Sequence, residues 1–493
     1  MIKSLRDQVY GMVDIHPLCY KLILLPEFQR LRDIKQLNHL HYIYPGATHD
    51  RFQHCIGVYH LAEVFIERLQ KIQPELNITE QEKLCVCVAG LYHDIGHITQ
   101  CHLYPLYTRR CHSTVFEEHE VMSVRIFKFL LEKYNLMTDF NAYGLTEKEV
   151  HLICEIIMGD KKKSPKDWNW VGAPGREFLL QIVANAKSGV DVDRFDYMIR
   201  DCMNLGLHCS YNYDRIIKGA YVIRNNEGSW EICFHEKVNI DVYEMFQCRM
   251  SLHRRAYSHK SNRIIDLMII DALCSAEQHG FGIKTKEGIV KLSEACGHLD
   301  AYIRATDYLL LQLKNSIEPE YEEARNLITR VECKQLYPFV GEVIINNKDY
   351  LKSTEMKFLM KEFDSEHVKR QIIQEFIDEA KSHNMESPQE YLIVDIVKAS
   401  LGMGNRNPLR SVSFFSESDV TKTRHLHLSE VSNTVPRQCE DWWARIYNRG
   451  NEQQFEALKK LYAIWRDRNI LEEDSQETPT LKRRSTYTFP SKQ

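Results

Sequence analysis

The chain has 493 residues, 44% of them hydrophobic and 27% charged, with a formal net charge of −4. These proportions exclude a disordered or fibrous chain and give no electrostatic footprint of a nucleic-acid glove. Its 15 cysteines form no C-x-x-C pair, which excludes a zinc ribbon, and the odd count argues against a disulfide framework.

In chain order, the N-terminus lacks the apolar core of a signal peptide, and no later run of about 18 apolar residues reads as a membrane span. An intracellular protein of the nucleus or cytoplasm is expected, without a membrane partner. Thr79-x-x-Glu82 is a capping-box signal that opens the helix TEQEKLCVCVAGLYHDIG, and Gly96 sits where that helix should stop. Thr146-x-x-Glu149 repeats the signal ahead of VHLICEIIMG. Residues 163–175 are rich in breakers and read as a surface loop, and residues 176–202 read as two helical pieces with Gly189 between them. WEICFH is strand-like, and residues 241–278 carry helical periodicity over a long span. From residue 337 the pattern mixes: YLIVDIV and HLHLSE read as strands, and EALKKLYAIWRDR as a helix. The reading is mainly α, with a core over residues 1–335, a smaller C-terminal α+β lobe over 336–470 and a disordered tail over 471–493.

The chemistry-bearing residues begin at LYHDIGH, where an apolar helix ends in His93 and Asp94, with His97 one turn on. RFQHCIGV adds His54 and GVDVDRFDYMIRD adds Asp193. Two imidazoles and two carboxylates make a mixed N/O set that suits iron, manganese, zinc or magnesium with positions left for water. Such an ion polarises a phosphoryl oxygen and lowers the pKa of water. His97, His102 and His119 supply proton carriers near the pair, Arg51, Arg194 and Arg249 supply phosphate clamps, and Tyr197, Asp201 and Tyr257 can hold a sugar. Each has a bland counterpart: a lone buried histidine is usually a satisfied core residue, arginines usually form a solvated face, and tyrosines usually pack. The ordered H…HD…D pattern, with Gly96-His97 following, is what lifts the metal reading above them.

These residues lie in longer blocks: HPLCYKLILLPEFQRLRDIKQL, YIYPGATHDRFQHCIGV, VCVAGLYHDIGH, GVDVDRFDYMIRDC and SLHRRAYSHK. In them the chain resembles the HD superfamily of metal-dependent phosphohydrolases and, within it, the vertebrate SAM-and-HD-domain deoxynucleoside triphosphate triphosphohydrolases, over residues 3–469. The resemblance implies an HD-domain helical core with a smaller regulatory and oligomerising α+β lobe, here without the SAM domain, as in a truncated form or a paralogue. It implies cleavage of a dNTP into deoxynucleoside and inorganic triphosphate, as a homodimer or homotetramer with a GTP or dNTP effector. His54, His93, Asp94 and Asp193 match metal ligands for one divalent transition ion (Zn, Fe or Mn), with Mg on the substrate phosphates. His97, His102 and His119 match histidines that face the phosphates and move protons. Arg51, Arg194, Tyr197, Arg249 and His253 match residues along the triphosphate, and Gln36, Asp201 and Tyr257 match residues around the deoxyribose. Gln29, Arg32, Lys237, His259 and Lys260 match effector-site residues. A role in nucleotide pools or antiviral defence follows from the resemblance alone.

The departures are informative. Arg194 replaces the family's lysine, and Pro105 replaces an aspartate that supports the histidine cluster, for which Glu117, Glu118 or Glu120 can compensate. Leu24 replaces the acid that reads a guanine edge, and effector-phosphate arginines are replaced at Tyr221, His235 and Lys334, so weakened or altered nucleotide activation is expected. Thr478-Pro479-Thr480-Leu481-Lys482 resembles a proline-directed kinase site. Competing readings are a phosphodiesterase or di-iron oxygenase on the same ligands, a catalytically weak pseudoenzyme, and a single-stranded nucleic-acid binder, which the acidic balance disfavours.

Overall fold

The computed structural model describes residues 3–159, 164–166, 168–225, 227–345, 365–436 and 438–469. The kinase-like motif at Thr478 and the tail expected from residue 471 lie outside the described residues. The chain divides into two units: Met1–Leu336 together with Ala399–Glu440, and Tyr337–Lys398 together with Asp441–Gln493. Helices dominate, as expected for a mainly α chain, and the smaller unit carries a sheet. Among the described residues no helix is long and apolar enough to cross a membrane.

The first unit is built around the helices Arg51–Ile72 and Glu80–Tyr92. The Asp50 side chain caps the first by accepting from Gln53 N, and Thr79 with Glu82 forms the expected capping box on the second. Every residue from Leu84 to Tyr92 is buried, so this helix is enclosed on all sides and explains its unbroken apolar run. Gly90 permits the close approach: a Cβ there would lie 3.2 Å from both Val58 O and Ala62 Cβ. The helices His119–Lys133 and Glu147–Met158 pack around this pair, the latter with its own Thr146–Glu149 capping box. Val192–Leu205 lies against Arg51–Ile72 and is capped by Asp191.

Several elements differ from the sequence reading. The helix that begins at Thr79 stops at Tyr92, before His93 rather than at Gly96, and residues 93–96 form a turn. Gly96 is required by packing instead, because a Cβ there would collide with His119 O, Ser123 N and Ser123 Oγ. Of the two helical pieces in residues 176–202, the first is only a 3₁₀ segment, Glu177–Gln181. The long span over 241–278 is two helices, Asn239–Leu252 and Lys260–Gln278, joined by a π-helical turn at His253–Tyr257. HLHLSE is not a strand: Leu428–Val431 is a short helix whose His427–Glu430 capping box satisfies its first backbone donors. An N-terminal hairpin, Lys3–Asp7 with Gly11–Ile15, escaped the sequence reading. The strand Trp230–His235 pairs with Ala220–Arg224 and also, in parallel, with Phe414–Ser416, which explains why Ala399–Glu440 belongs to this unit.

In the smaller unit the sheet order is Phe339–Ile344, Glu440–Asn448, Leu392–Ser400. The helices Ser365–Ser382 and Glu452–Asn469 contribute to its core, where Ile372, Phe376, Trp442, Leu458, Leu461 and Trp465 pack together. Trp465 Nε1 donates to Glu375 Oε2 at 2.6 Å, so the buried indole keeps a hydrogen bond.

Candidate active site

Four side chains from three places converge beside the end of the buried helix. His54 projects from the first turn of Arg51–Ile72, His93 and Asp94 from the turn after Tyr92, and Asp193 from the first turn of Val192–Leu205. His54 Nε2 lies 3.2 Å from His93 Nε2 and 3.0 Å from Asp193 Oδ1. Asp193 Oδ1 is also 3.5 Å from His93 Nε2, and Asp94 reaches to 3.7 Å from His54 Nε2 and 3.5 Å from His93 Nε2. The Asp193 side chain is 35% exposed, so the cluster opens to solvent on that side.

The donor chemistry fits a cation. His93 Nδ1 faces Gly90 O at 2.8 Å and His54 Nδ1 faces Asp196 Oδ2 at 2.7 Å, which places a proton on each Nδ1 and turns each Nε2 lone pair toward the other. Two facing lone pairs and two carboxylates repel unless a cation or added protons lie among them. Burial opposes a charge on His54, yet Asp193 and Asp196 push its pKa up to about 10. Burial likewise opposes the Asp193 anion, and His54 and His93 hold it well below the usual carboxylate range.

A second layer, unforeseen from the sequence, holds His54. Asp196 is fully buried, and its carboxylate accepts from Arg200 Nε at 2.9 Å and Nη2 at 2.8 Å as well as from His54. Arg200 Nη1 lies 2.9 Å from Asp7 Oδ2, at the end of the N-terminal hairpin. Gly57 makes room for this pair, since a Cβ there would strike Asp196 Oδ1 and Arg200 Nη2. The signal was present: Asp193, Asp196 and Arg200 follow helical spacing, so one face of one helix carries the candidate ligand Asp193, the carboxylate that meets His54 and that carboxylate's counter-ion.

The expected histidines gather on one side of this cluster. The His97 and His119 rings stack at 4.1 Å, and His102 stands 5.3 Å from His97. His97 Nε2 is 3.3 Å from Asp94 Oδ1, and His119 Nε2 is 3.9 Å from the same oxygen. Burial and then the Arg51 charge lower the His97 pKa far below its ordinary value. His102 is exposed, and desolvation by its surroundings, then Arg51 and His119, lower its pKa as well. Arg51 is buried, donates to Asp94 Oδ2 and to Cys101 Sγ, and lies 3.5 Å from His102 Nε2. At the position where Pro105 opens the helix Tyr104–Arg110, no carboxylate is offered. Glu120 Oε2 lies 3.3 Å from His119 Nδ1 instead.

A further set lines the approach. Tyr257 OH donates to Asp201 Oδ2 at 2.5 Å, and Asp201 Oδ1 meets His49 Nε2 at 2.7 Å. His49, also unforeseen, is buried and donates no other ring hydrogen bond among the described residues. Gln36 is buried, and its Oε1 has no hydrogen-bond partner among the described residues. The Arg194 guanidinium lies against Gly189 and Gly402, both at positive φ, and its Nη1 is buried with no hydrogen-bond partner among the described residues. Tyr197 is burdened by burial, which raises its pKa, while Arg249 and Arg194 pull the other way, so both cations are near its hydroxyl. Arg249 Nη1 donates to Ser400 O. His253 sits 5.0 Å from the Tyr257 ring, and burial and then Arg249 push its pKa down to about 3.

The expected effector residues fall in separate places. Gln29 Nε2 donates to Ile23 O at 2.7 Å, Gln29 Oε1 accepts from Arg32 Nε at 2.9 Å, and Arg32 stacks over Phe52. Leu24 nearby is 57% exposed. His259 caps the helix Lys260–Gln278 by accepting from Ser261 N, and Lys237 donates to Glu417 Oε2.

The HD domain model matches residues 51–198, the segment that carries all four converging side chains. The deoxynucleoside triphosphate triphosphohydrolase SAMHD1 of Bos taurus is 34% identical over 475 residues, covering 94% of this chain and 78% of that protein. Its Homo sapiens counterpart is 33% identical over 481 residues, covering 95% and 74%. The SAMHD1 homolog of Dictyostelium discoideum is 30% identical over 468 residues, covering 95% and 81%.

Proposed function

The chain belongs to the HD-domain family of deoxynucleoside triphosphate triphosphohydrolases represented by SAMHD1, and from that premise we propose how its residues divide the work. It is a dNTP triphosphohydrolase, and the products are a deoxynucleoside and inorganic triphosphate. The observation that carries the residue assignment is the convergence of His54, His93, Asp94 and Asp193 beside the stacked His97 and His119 rings, with His102 edge-on to both.

His54, His93, Asp94 and Asp193 would hold one divalent transition ion, through Nε2 of each imidazole and the facing carboxylate oxygens. When bound, that ion supplies Lewis acidity at the α-phosphoryl group and lowers the pKa of water. Asp196 fixes the tautomer and orientation of His54. Arg51 neutralises phosphate charge while it holds Asp94 in place. His119 delivers a proton to the departing 5′-oxygen, held by Glu120, and His102 stands ready as its partner at the attacking side. His97 stays neutral and donates to a phosphate oxygen. Arg194, Tyr197, Arg249 and His253 grip the triphosphate, with magnesium on its oxygens, and Arg194 Nη1 thereby gains the partner it lacks. Gln36 Oε1 gains one from the sugar. Tyr257, braced by Asp201 and His49, walls the C2′ face and excludes a ribose hydroxyl.

Nucleotide activation is weakened in this reading. Leu24 offers no acceptor to a guanine edge, Gln29 and Arg32 satisfy one another, and Lys237 is engaged by Glu417. GTP or dNTP effectors and a homodimer or homotetramer remain part of the proposal, with Lys260 and His259 beside the effector phosphates. The test is turnover of dGTP by manganese-loaded protein, with and without GTP, beside Asp193→Asn, with products resolved by chromatography. Deoxyguanosine plus triphosphate, lost in the variant and only weakly stimulated by GTP, is expected. Strong GTP stimulation would remove the activation part, and absence of dNTP turnover would remove the whole assignment.

A further inference from the structure

A second cluster of donor atoms lies outside this machinery. The sulfurs of Cys202, Cys209 and Cys248 are within 4.8 Å of one another, and Cys202 Sγ stands 3.9 Å from Cys248 Sγ. Cys202 lies in the last turn of Val192–Leu205, Cys209 follows that helix beyond its Gly206 cap, and Cys248 lies near the end of Asn239–Leu252. Cys202 and Cys248 are buried and Cys209 is half-buried.

The spacing separates two chemistries. Thiolates that share one tetrahedral ion at about 2.3 Å each stand ~3.8 Å apart, whereas a disulfide needs ~2.05 Å. The Cys202–Cys248 separation matches the former. Three sulfurs around one point also differ in kind from the pair Cys111 and Cys274, whose sulfurs are 3.2 Å apart with no third donor in a metal-competent group among the described residues. Cys202 and then Cys248 lower the Cys209 pKa below the usual thiol value, whereas the Cys202 and Cys248 thiols are raised, so one thiolate is favoured among the three and an ion must displace the remaining protons. His208 adds to the lowering at Cys209 through its charge, and it is exposed on the same loop.

We propose that Cys202, Cys209 and Cys248 form a second metal site, separate from the His/Asp cluster, for a thiophilic cation of the zinc class. Soft thiolates select such ions over the hard ions that carboxylates prefer. His208 or water completes the coordination. The position gives the site a consequence. Cys202 adjoins Asp201 and Cys248 adjoins Arg249, so an ion held by the trio ties the helix that carries Asp193, Asp196 and Asp201 to the helix that carries Arg249. Binding to the folded chain alone then stabilises it by linkage.

The test uses the whole chain with its His/Asp cluster loaded with manganese. Cd²⁺ is titrated in while the near-ultraviolet absorption of thiolate-to-cadmium charge transfer is followed, a band that nitrogen and oxygen ligands do not produce. We expect saturation at one equivalent per chain, a rise in Tm, and loss of both in Cys209→Ser. Cys248→Ser repeats the loss from a different helix, and dGTP turnover reports that each variant folds. Zn²⁺ should also protect Cys209 of the unaltered protein from iodoacetamide, read by peptide mass, which needs no variant. The proposal is overturned if no band forms at one equivalent, if it persists in Cys209→Ser, or if Cys111→Ser abolishes it instead.

Discussion

Asp196 touches no expected ligand atom of the ion, yet replacing it with asparagine should weaken metal binding more than any other change outside the four ligands. The carboxylate has three donors on it: His54 Nδ1 at 2.7 Å, Arg200 Nε at 2.9 Å and Arg200 Nη2 at 2.8 Å. An asparagine has one carbonyl oxygen for them, and its amide hydrogens must face a donor. At least one buried donor therefore loses its partner, at about 1–3 kcal/mol. The Arg200 cation also keeps only Asp7, at 2.9 Å. Breaking a buried pair outright costs about 3–5 kcal/mol, and the retained Asp7 contact places the expected loss of fold stability at about 2–4 kcal/mol. For the ion, loss of a carboxylate behind a ligating histidine costs roughly 10–100-fold in affinity, or about 1.4–2.7 kcal/mol. The assay is competition for Mn²⁺ against a chromophoric chelator, with chemical denaturation of the apo chain in parallel. Turnover of dGTP by Asp196→Asn should recover at high Mn²⁺, because only affinity has changed, whereas Asp193→Asn should not recover. Mn²⁺ affinity within twofold of the unaltered protein, in a variant that folds, would refute the role given to Asp196.

Four other outcomes are expected. His119→Asn should lower kcat for dGTP by about 10²–10⁴-fold with Mn²⁺ affinity unchanged, measured by steady-state kinetics and chelator competition. Tyr257→Ala should raise ribonucleotide turnover relative to dNTP turnover by roughly 10–200-fold, seen by comparing GTP and dGTP as substrates. Leu24→Asp should increase stimulation by GTP, since a charged hydrogen bond to the guanine edge is worth about 1.5–3 kcal/mol, and an unchanged GTP response would disconnect Leu24 from activation. The folded-state pKa of His253 is pushed down to about 3 by burial and then Arg249. The unfolded chain, near 6.5, therefore binds the extra proton between those values, so His253 destabilises the fold as pH falls from about 6.5 toward 3, by up to about 1.4 kcal/mol per pH unit. His253→Gln should flatten the acid side of the stability curve, measured by denaturation between pH 5 and 7, and an unaltered slope would count against the buried neutral imidazole.

The legible part of this protein is the part written in local chemistry. His93 and Asp94 could be read because a buried helix of nine apolar or small residues ends abruptly in two polar ones. Both capping boxes could be read because Thr79 and Glu82, or Thr146 and Glu149, need only each other. His49 was hidden for the opposite reason, since its partner Asp201 lies far along the chain, and Asp196, although its helical spacing from Asp193 was readable, has a role defined by the equally distant His54. Gly96 was assigned to a turn because its collision with His119 and Ser123 lies in another helix. HLHLSE alternates like a strand, but among the described residues no strand pairs with it, and Glu430 folds back onto His427 N instead. The same distinction governs Pro105. The sequence offered Glu117, Glu118 or Glu120 in place of the missing aspartate, and of these Glu120, one residue away in the chain, lies 3.3 Å from His119 Nδ1. A lost local support is therefore weak ground for a pseudoenzyme when the helix that bears the histidine can supply the charge itself.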